Sequence, residues 1–113
     1  MEGRLPAHIE VGGLARAVEA AGGFATVLAK GERDAGTIMV ICCTRGTGAV
    51  AWERMPQRDG RRRWTAVQRQ DPDNPAEFQQ WCDRRIGQDP DLWVLELDIE
   101  RAERFILSEE AGD

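Results

Sequence analysis

Apolar residues fall into short blocks separated by glycine, proline and charge, and the spacing inside each block predicts an element. Leu14, Ala17, Val18 and Ala21 recur at helical spacing, with Gly22 and Gly23 where a left-handed cap belongs, so a first helix is predicted over about 11–21. FATVLAK (24–30) is rich in strand-forming residues between glycines, and GERDAG (31–36) reads as a loop. TIMVICC (37–43) is almost continuously apolar and β-branched, as expected of a central strand covered on both faces. RGTG predicts a tight turn into AVAWERM (49–55). Asp59-Gly60 is the dipeptide suited to a type I′ turn, leading into RRRWTAVQ (61–68). Four consecutive strands in an antiparallel meander are expected.

The second half is punctuated by two Asp-Pro-Asp triplets, at 71–73 and 89–91. After the first, Asn74 suits a helix N-cap, Pro75 the first helical position and Glu77 the closing residue of a capping box. Phe78, Trp81, Cys82 and Ile86 mark one helical face, so a second helix is expected over 75–86, ended by Gly87. Leu92 to Leu97 puts Trp93, Leu95 and Leu97 on one face and Leu92, Val94 and Glu96 on the other, as in a well-covered strand. The stretch 99–107 reads either as a hairpin arm ending in Phe105, Ile106 and Leu107 or as a short helix; three consecutive apolar residues favour the arm. The expected architecture is a single α+β domain over 1–108. Its mainly antiparallel sheet has five or six strands, two helices pack on one face, and 109–113 form a loose acidic tail.

Composition narrows the class. The chain has 113 residues with 42% apolar and 31% charged, which suits one globular domain and excludes a disordered chain. The start lacks a basic region followed by an apolar core, and no apolar run is long enough to span a bilayer, so the expected compartment is the cytoplasm without membrane contact. Three cysteines, two of them adjacent, argue against a disulfide framework. The net charge of −5 hides an uneven layout: residues 45–69 carry seven basic and two acidic groups, whereas 70–113 carry four and thirteen. Such segments can attract one another within a molecule or between two copies.

"EAAGGFATVLAKGERDAGTIMV" (19–40), the Arg63-Trp64 pair after a hairpin and "DPDLWVLELD" (89–98), in this order, resemble a small bacterial family, domain of unknown function 1491. The resemblance implies no activity and supplies no catalytic residues or cofactor. In that family an aspartate often follows the glycine where this chain has Gly31-Glu32.

Asp71, Asp73, Asp89 and Asp91 flank opposite ends of the second helix, about 18 Å apart at 1.5 Å per residue, so turn and capping chemistry explains them better than a cation site. GERDAG can offer backbone N–H groups to an anion but lacks the Lys-Ser/Thr ending of a P-loop, and a loop in which Asp34 bonds its own backbone is the simpler reading. Cys42, Cys43, Cys82 and His8 lack metal-ligand spacing, so no metal is expected and the thiols are read as buried. Trp52, Trp64, Trp81 and Trp93 are read as core, with Trp52 or Trp64 the alternatives for an interface anchor. The remaining feature is the hairpin RMPQRDGRRRW, where Arg54, Arg58, Arg61, Arg62, Arg63 and Trp64 form the expected binding residues. The expected function is a small interaction or regulatory module without catalysis or cofactor, contacting an acidic protein surface or a second copy through 54–64. Nucleic-acid binding through the same arginines is the first alternative. A carboxylate-dependent enzyme using Glu96, Asp98 and an arginine is the second.

Overall fold

The computed structural model describes residues 5–111. The chain forms α1 (Ala7–Ala20), β1 (Phe24–Ala29), β2 (Ile38–Thr44), β3 (Thr47–Pro56), β4 (Arg62–Arg69), α2 (Pro75–Gln88), β5 (Trp93–Asp98) and α3 (Arg104–Ala111). It is an α+β fold around a five-stranded, mostly antiparallel sheet of order β1-β5-β2-β3-β4.

The meander is confined to β2, β3 and β4. β1 does not join it, because β5 inserts between β1 and β2. β5 runs antiparallel to β1, with Phe24 opposite Asp98, and parallel to β2, with Ile38 opposite Trp93. The two most apolar strands therefore sit side by side at the centre, covered on both faces, which is why neither shows clean alternation.

Alternate residues of β2 divide the core in two. Val40 and Cys42 face Val11, Leu14 and Val18 of α1 together with Ala102 and Ile106, beside Trp64, Leu95 and Leu97. Met39, Ile41 and Cys43 face Phe78 and Cys82 of α2, beside Ala51, Leu92 and Val94. Helices therefore cover both faces, α1 and α3 on one and α2 on the other, rather than two helices sharing a face. A sheet whose central strands are apolar on both sides requires this second cover.

The stretch 99–107 is not a hairpin arm. β5 already has a strand on each side, so a following arm would have no edge to pair with. Ala102 and Ile106, four apart, instead reach the α1 face of the core, and α3 begins at Arg104. α3 includes 109–111 of the expected tail, while 112–113 lie outside the described residues.

Turn chemistry differs in detail from the sequence reading. α1 starts at Ala7, earlier than expected, because its first N–H groups find loop acceptors: Ala7 donates to the Asp34 carbonyl at 3.0 Å and His8 to the Arg33 carbonyl at 2.9 Å. It ends as foreseen, with Gly22 at φ 93° and Gly23 N–H donating back to the Val18 carbonyl at 3.0 Å. Asn74 occupies the N-cap of α2 but makes no side-chain cap bond, so no capping box forms, and Gly87 lies inside a helix that runs on to Gln88. The type I′ turn lies not at Asp59-Gly60, where only Gly60 has positive φ, but at Arg45-Gly46, with φ of 52° and 74°. The Asp98 carboxylate accepts both N–H groups of that turn, at 2.7 Å from Arg45 and 3.1 Å from Gly46.

All three thiols are buried, Cys42 on one side of the sheet and Cys43 and Cys82 on the other. Burial, reinforced by Glu103, pushes Cys42 up to about 12. Burial again, with Glu96 and Asp98 around Cys43 and Asp83 and Glu96 around Cys82, pushes those two to about 11. The folded chain thus keeps thiol protons that an unfolded chain releases from 9.0 upward. The stability they represent is complete below that pH and is lost as pH rises through 11 to 12. With no tyrosine in the chain, little else titrates in that window. The urea midpoint is expected to hold from about pH 7 to 9 and to fall by about pH 11, with a smaller fall in Cys42→Ala. A midpoint flat across the whole range would contradict the burial of these thiols.

Candidate functional site: an arginine hairpin overhanging the sheet

β3 is longer than its inner neighbour. Met39 is the first β2 residue paired with it, opposite Glu53, whereas β3 and β4 stay paired out to Pro56 and Arg62. The β3–β4 hairpin therefore projects past the end of the sheet. Its tip closes with Gln57 N–H donating to the Arg61 carbonyl at 2.7 Å, and the Asp59 carboxylate accepts the Arg61 N–H at 2.9 Å.

Two ion pairs, one on each face, clamp the base of this arm. Arg54 donates from Nη2 to Oε2 of Glu10 in α1 at 2.6 Å, and its guanidinium lies 4.6 Å from the ring centre of Trp64. Glu10 is the one buried charged residue among those described. On the opposite face Glu53 accepts from Nε and Nη2 of Arg85 in α2, at 3.0 and 2.7 Å, a two-pronged pairing that raises the Arg85 pKa further. Between the overhang, the start of β2 and the end of α2 lies a notch of about 430 Å³, lined by Thr37, Ile38, Met55, Pro56, Arg62 and Arg85 among others.

The six residues singled out from the sequence therefore divide. Arg54 and Trp64 belong to the clamp, with Trp64 only 6% exposed. Arg58, Arg61, Arg62 and Arg63 are exposed, and among the described residues no carboxylate lies within ion-pair distance of any of them. Sequence reasoning missed Glu10, Glu53 and Arg85. A signal was present for two of them. Glu10 falls on the apolar stripe of Ala7, Val11, Leu14 and Val18, and Arg85 falls on that of Phe78, Cys82 and Ile86. A charge on such a stripe needs a partner.

The other candidates find local uses. In both Asp-Pro-Asp triplets the first aspartate accepts the N–H two residues on: Asp71 from Asp73 at 2.9 Å and Asp89 from Asp91 at 3.0 Å. In GERDAG it is Glu32, not Asp34, whose carboxylate bonds loop backbone, taking the N–H groups of Asp34 and Ala35 at 3.1 and 2.6 Å. The loop thus offers those N–H groups to its own carboxylate rather than to a phosphate. His8 Nδ1 lies 3.0 Å from the Arg33 carbonyl. Among the described residues no three of His, Cys, Asp and Glu gather as metal ligands, and no helix is long and apolar enough to cross a membrane. Trp93, 8% exposed, is core as expected, while Trp52 and Trp81 are half-buried, Trp52 against the same side of the core and Trp81 against the α2 side.

The overall fold recurs in known structures. A crystal structure of a DUF1491 family protein from Caulobacter crescentus CB15 is 30% identical, with a TM-score of 0.76, covering 90% of this chain and 94% of that one. An NMR structure of a DUF1491 family protein from the same organism is 29% identical, with a TM-score of 0.76, covering 93% and 94%. The solution structure of protein Atu0922 from A. tumefaciens is 28% identical, with a TM-score of 0.69, covering 92% and 93%. Among curated proteins, none matches. The sequence profile described as "Protein of unknown function (DUF1491)" matches residues 5–107, nearly the whole chain, and with these structures it establishes that the chain belongs to the DUF1491 family.

Proposed function

We propose that the chain is a cytoplasmic interaction module without catalytic activity, which docks an acidic protein surface on the overhanging β3–β4 hairpin. The observation that carries this reading is the set of four guanidinium groups at 58, 61, 62 and 63, left without carboxylate partners among the described residues, on an arm whose base is held by two ion pairs. Arginines on a rigid hairpin are presented at low entropic cost, and their planar forks suit carboxylates. The neighbouring notch, with Met55 40% exposed and Pro56 beside it, adds an apolar seat for a partner side chain. The burial of Trp64 takes away the stacking platform that single-stranded nucleic acid would use, so the protein-docking reading is favoured. The Asp98 carboxylate named in the enzyme alternative is engaged by the Arg45-Gly46 turn.

The test replaces Arg58, Arg61, Arg62 and Arg63 together with glutamate. Binding of a fluorescent peptide of alternating glutamate and leucine, followed by anisotropy, is expected to weaken about tenfold or more in the variant and to weaken with salt in the parent. Light scattering at low and high salt tells whether the acidic surface belongs to a second copy. Equal peptide binding by parent and variant would sink the reading, and tighter binding of single-stranded DNA than of peptide would replace it with the nucleic-acid alternative.

A further inference from the structure

At the end of the sheet opposite the arginine arm, the parallel neighbours β2 and β5 finish together at Thr44 and Asp98. Their chains then part, β2 into the Arg45-Gly46 turn and β5 into the loop that climbs to α3. The two departing chains leave a crevice beyond the carboxyl ends of this one parallel pair. Here the crevice has a volume of about 500 Å³, and Gly23, Phe24, Arg45, Asp98, Arg101 and Arg104 are among its lining residues.

Three features mark it as more than a gap. Arg45, Arg101 and Arg104 are exposed, and among the described residues none has a carboxylate within ion-pair distance. Arg45 and Arg101 are also the only described non-glycine residues with positive φ, each 52°. Glycine or asparagine would hold that conformation with less strain, by about 1 kcal/mol each, yet both positions carry a guanidinium at the same cavity. Phe24 stands at the rim 74% exposed, the most exposed of the large apolar residues described. The Asp98 carboxylate is spent on the turn that carries Arg45, which leaves Glu100 as the remaining acid on the lining.

We propose that this crevice binds a small aromatic phosphate of the nucleoside monophosphate class, its phosphate received by Arg45, Arg101 and Arg104 and its ring stacked on Phe24. Three guanidinium groups facing one acid favour a dianion over a single carboxylate, and an exposed phenyl ring supplies the flat face that a base needs.

The experiment is a titration of the full chain, labelled with nitrogen-15, with adenosine monophosphate, inorganic phosphate and adenosine in separate arms, read from amide shifts. Saturable shifts are expected at 22–24, 45–46 and 101, with the monophosphate binding about tenfold tighter than phosphate and adenosine failing to saturate. Arg101→Ala with Arg104→Ala should weaken both phosphate-bearing ligands about tenfold or more. Phe24→Ala should weaken only the monophosphate. All three side chains are exposed, and the dispersion of the same spectra checks the fold. The proposal is overturned if the monophosphate gives no saturable shift at millimolar concentration, or if its shifts cluster at 57–63. It is also overturned if Phe24→Ala binds the monophosphate as the parent does.

Discussion

Gly31→Ala is expected to lower the folding free energy by about 3 kcal/mol or more, seen as a lower urea midpoint with an unchanged slope. The cause lies in the 30–37 loop, which must pass over the start of β5 to bring the chain from β1 to β2. Glu32 N–H donates to the Asp91 carbonyl at 3.0 Å, and the Trp93 indole N–H donates to the Glu32 carbonyl at 2.7 Å. A methyl group at Gly31 or at Gly36 would overlap that same Asp91 carbonyl, which is backbone and cannot swing aside. The loop must then lift. Lifting breaks both hydrogen bonds and leaves the indole N–H of a buried tryptophan without an acceptor. It also disturbs the start of α1, whose first N–H groups bond the Arg33 and Asp34 carbonyls. Gly13→Ala is the control: nothing lies within 4 Å of the added methyl, and in a helix interior it should raise stability by about 0.5–1 kcal/mol. A Gly31→Ala protein within about 0.5 kcal/mol of the parent would show that the loop does not press on Asp91.

Arg54→Met is expected to cost about 3 kcal/mol, because it leaves the Glu10 carboxylate buried without its cation. The guanidinium also loses its seat over Trp64. The double variant Glu10→Leu with Arg54→Met should recover most of that loss, since a well-packed apolar pair is often as stable as the ion pair it replaces. A double-mutant cycle from urea unfolding separates the two contributions. Equal losses in the single and double variants would mean that packing on Trp64, rather than the charge pair, holds the arm.

The contrast between what could be read from the chain and what could not follows from distance along it. TIMVICC and LWVLEL were legible as strands covered on both sides, and that pattern is itself the mark of parallel neighbours, yet nothing local says that they pair with each other across two intervening strands and a helix. The first helix ended where Gly22 and Gly23 placed its end, because a Schellman cap is a local hydrogen-bond pattern. Its start was missed because the acceptors for its first N–H groups come from a distant loop. Phe105, Ile106 and Leu107 fit strand or helix equally well by themselves. The choice was made by the lack of a free edge beside β5 and by the reach of Ala102 and Ile106 to α1. For the candidate arm, local chemistry showed the concentration of arginine but not its division of labour, since Glu10 and Arg85 approach it only in three dimensions.

The insertion of β5 also sets an order of events during synthesis. β1 leaves the ribosome before the other described strands, whereas β5, with which it pairs from Phe24 opposite Asp98, leaves after them. Until β5 emerges, β2 exposes one unpaired edge and the α1 side of the core lacks Leu95 and Leu97. Nascent chains can therefore form the β2–β3–β4 hairpins early, while closure of the sheet waits for β5. A topology that relies on such distant pairing folds more slowly than a run of local hairpins would.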